Sequence, residues 1–319
     1  MKLLRMRNHG EQERSEKAKG VWYTLGAFTL WGVLPLYWKA LKQVPSPQIL
    51  SHRILWSFIF VAILISLRGR WIDVKRSLSI KRNRISCSIS ALFISTNWFI
   101  YIWAVNAGHV VETSLGYFIN PLISVLLGIL FLKERLGFWK GVAVCLALVG
   151  VFYLTLQYGK LPWIALSLAV SFGMYGLLRK TAHVDSLLGL LIETAIITPI
   201  VLTYLVYEAM QGRSAFGAAP PIIHLLLIGS GVVTATPIIW FAHGARRIPL
   251  SMVGFIQYLA PSFQLVLAVL VFREPFTRTH LISFSLIWGA LAIFSLSHTS
   301  WMKRIEPGIW RGRPVRKDN

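Results

Sequence analysis

Long runs of apolar residues, separated by short connections that contain polar, Pro or Gly residues, make up almost the whole chain. An α-helix needs about 20 mainly apolar residues to cross the hydrocarbon core of a bilayer. Ten runs reach that length, and little chain is left over for a soluble domain. The ten predicted spans are residues 20–40, 47–67, 84–107, 112–132, 137–156, 161–180, 186–207, 220–243, 249–272 and 279–298. The pattern therefore predicts an all-α integral membrane protein with ten transmembrane helices.

The composition agrees with a protein whose solvent is lipid. Of the 319 residues, 55% are hydrophobic and 14% charged, and the mean hydropathy is +0.61. Such a chain is too apolar to keep a soluble surface wet. Cys87 and Cys145 lack a paired or metal-ligand spacing, so we expect no disulfide, no metal site and no cofactor. The first 19 residues are strongly polar and do not resemble a cleaved signal peptide, so we expect the first span to be retained.

The formal charge of +21 raises nucleic acid as a partner, and the location of the basic residues argues against it. Of the 33 Lys and Arg residues, 26 lie in the two tails, residues 1–19 and 299–319, or in the connections after even-numbered spans and the span ends that border those connections. Lys and Arg in short connections orient membrane helices because they stay on the cytoplasmic side. We therefore expect both tails in the cytoplasm, and no folded soluble face remains to bind nucleic acid.

The two halves of the chain match each other at a nearly constant offset. Pro121 and Pro261, each followed thirteen positions later by Glu, coincide after a shift of 140 positions, and a shift of 141 superimposes the first span on the sixth. The matches define two five-helix halves, residues 20–156 and 160–298. Because five is an odd number, the second half must enter the membrane in the opposite orientation. Inverted repeats of this kind are typical of secondary transporters, which bind substrate where the halves meet.

The fourth and ninth spans share a polar face around a proline. Pro121 and Pro261 should each leave one carbonyl, that of Tyr117 or Gln257, in need of another partner or of a wet cavity. Gln264 lies on the same face. One interpretation is a substrate cavity lined by these five residues. The other is close packing of the two helices through this face.

The third span carries aromatic and amide side chains well inside the membrane. Asn97, Trp98 and Tyr101 form a wall that could stack against an aromatic or amphipathic ligand. Packing within the protein core explains each residue equally well when it is taken alone.

Glu193 is the sole acidic residue well inside a predicted span. An unpaired charge there is costly, so the carboxylate should be paired or protonated. His52 and Arg53 of the second span are the expected partners. The alternatives are a proton-coupling group and a structural ion pair. His243 is a second candidate for a titrating group in the pathway.

Six motifs are specific in combination. They are SHR at 51–53, NW at 97–98, SLGYFINPL at 114–122, SFGMYGLLRK at 171–180, ET at 193–194 and QYLAP at 257–261. In these motifs the chain resembles the RarD family of the drug/metabolite transporter superfamily, whose halves are EamA domains. The resemblance covers about residues 19–296. It implies two inverted five-helix EamA repeats in the bacterial inner membrane, cytoplasmic termini and a central cavity lined chiefly by spans one, three, four, six, eight and nine.

Asn120 and Tyr175, which lie in these motifs, join the expected substrate cavity. His243 is included as well, although the family pattern would have a small residue at that position. The resemblance implies a lipid bilayer and a small amphipathic metabolite or drug as partners, and the family is linked by name to chloramphenicol sensitivity. Export is the expected direction.

Several alternatives stay open. Transport could be coupled to protons through Glu193 or a histidine, or could be uncoupled facilitation. An intramembrane enzyme is disfavoured because the 12 acidic residues are scattered and no phosphate-binding Gly motif is present. A structural or signalling membrane protein is a third class, and both a monomer and a homodimer are compatible with the sequence.

Overall fold

The computed structural model describes residues 2–107, 109–159, 162–271, 278–297 and 299–305, and this part of the chain consists of helices joined by short connections. The helices are α1 (Lys2–Ala40), α2 (Ser46–Leu67), α3 (Trp71–Ser79), α4 (Lys81–Asn106), α5 (Val110–Leu132), α6 (Phe138–Tyr158), α7 (Trp163–Thr181), α8 (Ser186–Met210), the short α9 (Ala215–Ala218), α10 (Pro221–Ala245), α11 (Leu250–Gln257), α12 (Leu259–Leu270), α13 (Arg278–Leu296) and α14 (Ser300–Arg304). The predicted all-helical class is confirmed. Glu274, the acid that follows Pro261, lies outside the described residues.

Two helical segments differ from the prediction. α1 continues through the polar N-terminal tail, where Lys17 pairs with Glu13 (2.6 Å) and Lys19 with Glu16 (2.8 Å) at helical spacing. Such pairs support an exposed helix. α3 lies in the basic connection after the second span, and it is too short and too polar for an apolar run to reveal it.

The ninth predicted span is broken into two helices. α11 ends at Gln257 and α12 begins at Leu259, and the Tyr258 N–H donates to a carbonyl three residues back at 3.2 Å. Pro261 has no N–H to carry the α-helical pattern across the break. Its counterpart Pro121 lies inside the continuous helix α5. Proline at equivalent positions therefore accompanies a broken helix in the second half and a continuous helix in the first.

Several helices have the length and apolar character of membrane spans. Within the residues that the structure describes, six stretches are long and apolar enough to cross a bilayer. They are Ser46–Leu67, Leu115–Leu132, Phe138–Gln157, Ser186–Gly217, Pro221–Ala245 and Leu250–Leu267, and a shorter apolar helix covers Leu281–Leu296. The number of ten spans stays a prediction.

Helix packing repeats itself when the two halves are exchanged. α1 packs against α10, α11 and α12, and its counterpart α7 packs against α4 and α5. α2 packs against α10, as α8 packs against α4. The remaining major contacts, α2 with α8, α5 with α11 and α6 with α13, each join equivalent helices of the two halves. This is the packing expected of two copies of one five-helix unit.

One face of the molecule collects both ends of the described chain and the connections after even-numbered spans. The contacts there are Glu16 with Arg247 (2.9 Å), Arg70 with Asp185, Arg246 Nη1 with the carbonyl of Val184 (2.9 Å) and Trp139 Nε1 with the carbonyl of Met302 (3.0 Å). We call this side the basic face because most Lys and Arg residues of the connections lie in these segments.

The opposite face collects connections after odd-numbered spans. Gln48, at the start of α2, donates from Nε2 to the carbonyl of Arg213 at 2.8 Å and accepts from the N–H of Ala215 at 2.8 Å. Trp103 of α4 contacts Trp163 of α7, with ring centroids 5.7 Å apart. The two sets of connections thus lie on different faces, as helices that alternate in direction require.

Candidate functional site

A cavity of about 360 Å³ lies among helices of both halves. Its polar and aromatic lining includes Phe28, Trp31, Trp38, Lys42, Ser46, Arg53, Asn97, Trp98, Tyr101, Thr113, Tyr117, Asn120, Phe172, Gln257 and Gln264. Sites for small ligands are concave, largely apolar and equipped with a few polar groups. The cavity has that character.

The helices that form the wall differ in part from those expected. Spans one, three, four, six, eight and nine all contribute, but α10, the eighth span, contributes only Ile238. α2 was not expected in the wall, and it contributes Ser46, Ile49, Leu50 and Arg53. Both repeats therefore line the cavity, with a larger share from the first.

Most residues predicted for a substrate cavity lie around this one space. They are Asn97, Trp98, Tyr101, Tyr117, Asn120, Gln257, Pro261 and Gln264. That these side chains bind a substrate stays a prediction. Pro121, Tyr175 and His243 are not among the lining residues, which corrects their expected position.

Pro121 lies instead in the contact between α5 and α11. A methyl group built on Gly254 would come within 2.6 Å of the Pro121 carbonyl oxygen, so the two backbones meet through glycine. Beside them Ser124 Oγ donates to Gln257 Oε1 at 3.2 Å. The polar face of these helices therefore serves both interpretations: one part packs the halves together, and Gln257, Pro261 and Gln264 line the cavity.

His243 and Tyr175 lie in other surroundings. The imidazole of His243 stacks on Tyr23 at 5.3 Å, and its Nδ1 lies 3.2 Å from Arg247 Nη1, near the basic face. Tyr175 is fully buried, with its ring 6.0 Å from that of Phe241 and its hydroxyl donating to Glu193 at 3.4 Å. Neither residue lines the cavity.

Glu193 pairs with Arg179 and not with His52 or Arg53, which corrects the expected ion pair. Arg179 Nη1 lies 3.4 Å from the Glu193 carboxylate, and Ser90 Oγ donates to it at 2.6 Å. Both side chains of the pair are 1% exposed. Arg179 lies near the end of α7, and its long side chain reaches across the short connection to the first turns of α8, which brings groups fourteen positions apart together. The pair is inaccessible to bulk water.

The sequence analysis missed Arg179 as a site residue. A basic residue near a predicted cytoplasmic helix end is normally interpreted as an anchor of that helix at the membrane surface. The Arg179 guanidinium also donates from Nη2 to the carbonyl of Ser186 at 2.8 Å. The sequence did contain one signal, since Glu193 as a buried acid required a partner.

His52 and its neighbour Arg53 face different surroundings. The His52 ring is buried 5.3 Å from that of Phe216. Arg53 lines the cavity, where its guanidinium carbon lies 4.5 Å from the Trp38 ring and 5.7 Å from the Trp98 ring. Cation–π contacts of this kind stabilise a guanidinium away from water. The cavity wall thus contains the cationic side chain of Arg53, which the sequence had suggested as an ion-pair partner of Glu193.

Amide side chains tie the wall together. Asn97 Nδ2 donates to the carbonyl of Leu168 (2.9 Å) and to Ser171 Oγ (3.0 Å), and this joins α4 to α7. Gln264 Nε2 donates to the carbonyl of Trp31 at 3.4 Å, which joins α12 to α1. These bonds hold helices of opposite repeats at the cavity. In the part of the chain described, no three His, Cys, Asp or Glu side chains come together to hold a metal.

Known proteins resemble this chain over nearly its full length. The EamA-like transporter family model matches residues 18–156 and 161–296. The uncharacterized transporter YojE of Bacillus subtilis is 46% identical over 91% of this chain and 98% of its own length. The protein RarD of Escherichia coli is 40% identical over 88% and 95%, and the chloramphenicol-sensitive protein RarD of Pseudomonas aeruginosa is 32% identical over 86% and 93%.

A solved crystal structure shares the fold at 19% identity, with a TM-score of 0.68 over 88% of this chain and 98% of that one. The family model matches once in each half, as expected of a duplicated unit. The resemblance to RarD is thereby confirmed. A multi-pass membrane protein with two such matches, and with relatives 40% identical or more over most of its length, belongs to the EamA-like transporter family and is a transporter rather than an enzyme.

Proposed function

We propose that the protein is a secondary transporter that moves a small amphipathic metabolite or drug across the bacterial inner membrane by alternating access. The observation that carries this proposal is the cavity between the two repeats, where polar and aromatic side chains from both halves surround one space of about 360 Å³. In transporters built from inverted repeats, the substrate site lies at such an interface. The family assignment gives the class of activity, and the cavity supports the proposed location of the substrate site.

The proposed topology has ten membrane helices in two inverted halves, residues 20–156 and 160–298. The exchange symmetry of helix packing supports the duplication. The separation of even and odd connections onto two faces supports alternating helix directions. Because the basic face holds most Lys and Arg residues of the connections, both tails belong in the cytoplasm by the positive-inside rule.

The cavity reaches towards the face opposite the basic one. Its lining includes Lys42, Val44 and Ser46 in the connection between α1 and α2. On the basic face the halves are held together, since Arg247 Nε donates to Glu16 at 2.9 Å and Arg70 pairs with Asp185. We assign this arrangement to the outward-facing state. Opening towards the cytoplasm then requires these contacts to break.

A flux measurement tests the proposal. Purified protein in liposomes is assayed for movement of candidate amphipathic compounds, chosen by comparing metabolites in cells with and without the gene. Trp98→Ala removes an aromatic wall of the cavity and should reduce flux at least tenfold. Trp22→Ala makes the same change at a side chain that is 74% exposed on the outside of the bundle, and flux should stay near that of the unchanged protein.

Equal flux in the two tryptophan variants, with both folded, would contradict a role for the cavity. If no compound that accumulates or disappears with the gene moves across the liposome membrane, transport itself fails as the function.

Coupling to protons can be tested at Glu193. Its partners Arg179, Ser90 and Tyr175 favour a structural ion pair, because a group that loads and releases protons needs access to water. Glu193→Gln leaves Arg179 without its carboxylate, so unfolding should become easier by about 3–5 kcal/mol. Flux per folded molecule should show the same dependence on the pH gradient, or the same independence of it, as the unchanged protein. Loss of that dependence with unchanged stability would instead identify Glu193 as the coupling group.

A further inference from the structure

The charges that line the cavity are unbalanced. Arg53 and Lys42 are the basic side chains in its wall, and among the lining residues that the structure describes none is Asp or Glu. Lys42 is exposed at the mouth of the cavity, whereas Arg53 lies deeper, in the second turn of α2. The interior of the cavity therefore carries a positive charge.

Arg53 is partly buried and lacks the carboxylate partner that an arginine inside a helix bundle normally has. Among the side chains that the structure describes, no carboxylate lies within 4.0 Å of its guanidinium, and Nε alone donates a hydrogen bond, to Thr234 Oγ1 at 3.1 Å. Arg179, the fully buried arginine of the same bundle, has Glu193 at 3.4 Å. Cations inside a membrane protein are costly unless they are paired, and an unpaired one marks a functional site. Both Nη groups of Arg53 thus remain available.

The side chains around Arg53 orient its guanidinium. Trp38 and Trp98 lie 4.5 and 5.7 Å from its central carbon, and Thr234 holds Nε. A planar guanidinium held in this way presents parallel N–H donors, which match the two oxygen atoms of a carboxylate or phosphate. The geometry is that of a preformed anion site.

We propose that Arg53 binds the anionic group of the transported molecule, and that this molecule is a small organic anion with a flat apolar part. The inference rests on the proposed transport function and specifies its substrate class. The flat part faces aromatic rings of the same wall, with Tyr101 and Tyr117 6.1 Å apart in an edge-to-face pair. An amino acid zwitterion fits less well, because its ammonium group would find no acidic side chain among the described lining residues.

Matched pairs of compounds test the charge preference. The full-length protein in detergent is titrated with benzoate and benzamide, and with indole-3-acetate and indole-3-acetamide, while thermal stability and tryptophan fluorescence are followed. Phenyl phosphate distinguishes a general oxyanion site from one restricted to carboxylates. We expect at least one acid to bind about tenfold or more tightly than its amide, since hydrogen bonds to charged groups are the stronger ones.

Variants assign the preference to Arg53. Arg53→Gln should remove the difference between acid and amide, and Arg53→Lys should retain part of it. Lys42→Gln also removes one positive charge from the cavity wall, but at an exposed position where solvent screens it, so it should keep most of the preference. Size-exclusion profiles of each variant report folding, and if Arg53→Gln does not fold, the Arg53→Lys and Lys42→Gln pair carries the test.

Two results would overturn the inference: no acid in the panel binds better than its amide, or the preference persists unchanged in Arg53→Gln. The same compounds in the liposome assay separate this failure from that of transport. Equal flux of acids and amides leaves a transporter without anion selectivity. Binding that depends on Arg53, without any flux, leaves an anion site in a protein that does not transport these compounds.

Discussion

At the scale of single residues, Gly189 shows how the buried ion pair is accommodated. A methyl group built on its Cα would come within 1.8 Å of Arg179 Nη1, so the guanidinium lies directly against the backbone of α8. Only a residue without a side chain leaves that space. Gly189 therefore provides the space that the Arg179 guanidinium occupies when it pairs with Glu193.

Asp185 gives a prediction at the same scale. Its Oδ1 accepts from the N–H groups of Leu187 (2.9 Å) and Leu188 (3.0 Å), which caps α8, and its other oxygen pairs with Arg70. Asp185→Ala loses both interactions and should lower the free energy of unfolding by about 1 kcal/mol. Asp185→Asn keeps the cap and loses only the charge of a partly exposed pair, which contributes less than the cap, so the loss should be smaller. Thermal unfolding in detergent compares the two variants, and equal losses would contradict the capping role.

The pH dependence of this contribution has a defined sign. Partial burial raises the pKa of Asp185, but the N–H of Leu188 and the guanidinium of Arg70 outweigh it and hold the pKa below its usual value. A carboxyl group with a lowered pKa in the folded state stabilises the fold fully above its unfolded pKa, which is about 3.9. The stabilisation is lost as pH falls through the folded pKa. The stability difference between the unchanged protein and Asp185→Asn should therefore be constant near neutral pH and shrink below about pH 4.

At the scale of elements, the start of α11 depends on the other half of the protein. Glu134, just after α5, accepts from the N–H groups of Leu250 (2.6 Å) and Ser251 (2.9 Å). A carboxylate suits a helix N-terminus because of both the unpaired donors and the helix dipole. Gly128 leaves room for it, since a methyl group there would lie 2.9 Å from the carboxylate.

Replacement of Glu134 tests this capping contact between the two halves. Glu134→Ala should lower the free energy of unfolding by about 1–2 kcal/mol, the typical effect of losing a cap. Glu134→Gln keeps an oxygen acceptor without the charge and should lie between the two. Arg135→Ala changes the exposed neighbour and serves as the control. Thermal unfolding measures all three, and a loss in Arg135→Ala as large as in Glu134→Ala would remove the argument for the cap.

At the scale of the whole molecule, hydropathy predicted the long apolar helices, because lipid imposes one length and one composition on every span. The offset of about 140 positions predicted the grouping of these helices into two similar halves. Amide and aromatic residues in apolar runs predicted much of the cavity wall, because polar groups inside a membrane need a hydrogen-bond partner or a wet cavity. The partner of Glu193 could not be predicted, since it depends on where the long Arg179 side chain meets the first turns of α8. The break at Pro261 depends likewise on packing, because Pro121 sits in an unbroken helix.

The topology itself is open to a labelling experiment. In a background where Cys87 and Cys145 are replaced by Ser, Lys42→Cys and Lys75→Cys each supply one exposed thiol. A thiol reagent that cannot cross the membrane should label position 42 in intact cells, and position 75 only after the membrane is opened. The reverse pattern would invert the proposed orientation, and labelling of both positions in intact cells would contradict the separation of the two faces.

The cap on α11 also bears on how the chain is made. Glu134 precedes Leu250 by 116 residues, so its carboxylate is in place long before α11 is synthesised. When α11 enters the membrane, the carboxylate that accepts hydrogen bonds from its first N–H groups is therefore already present. A first half made alone keeps the carboxylate with no helix to receive it, whereas a second half made alone begins α11 with its donors unpaired. In the natural order of synthesis, the N–H groups of Leu250 and Ser251 find the Glu134 carboxylate already present when α11 forms.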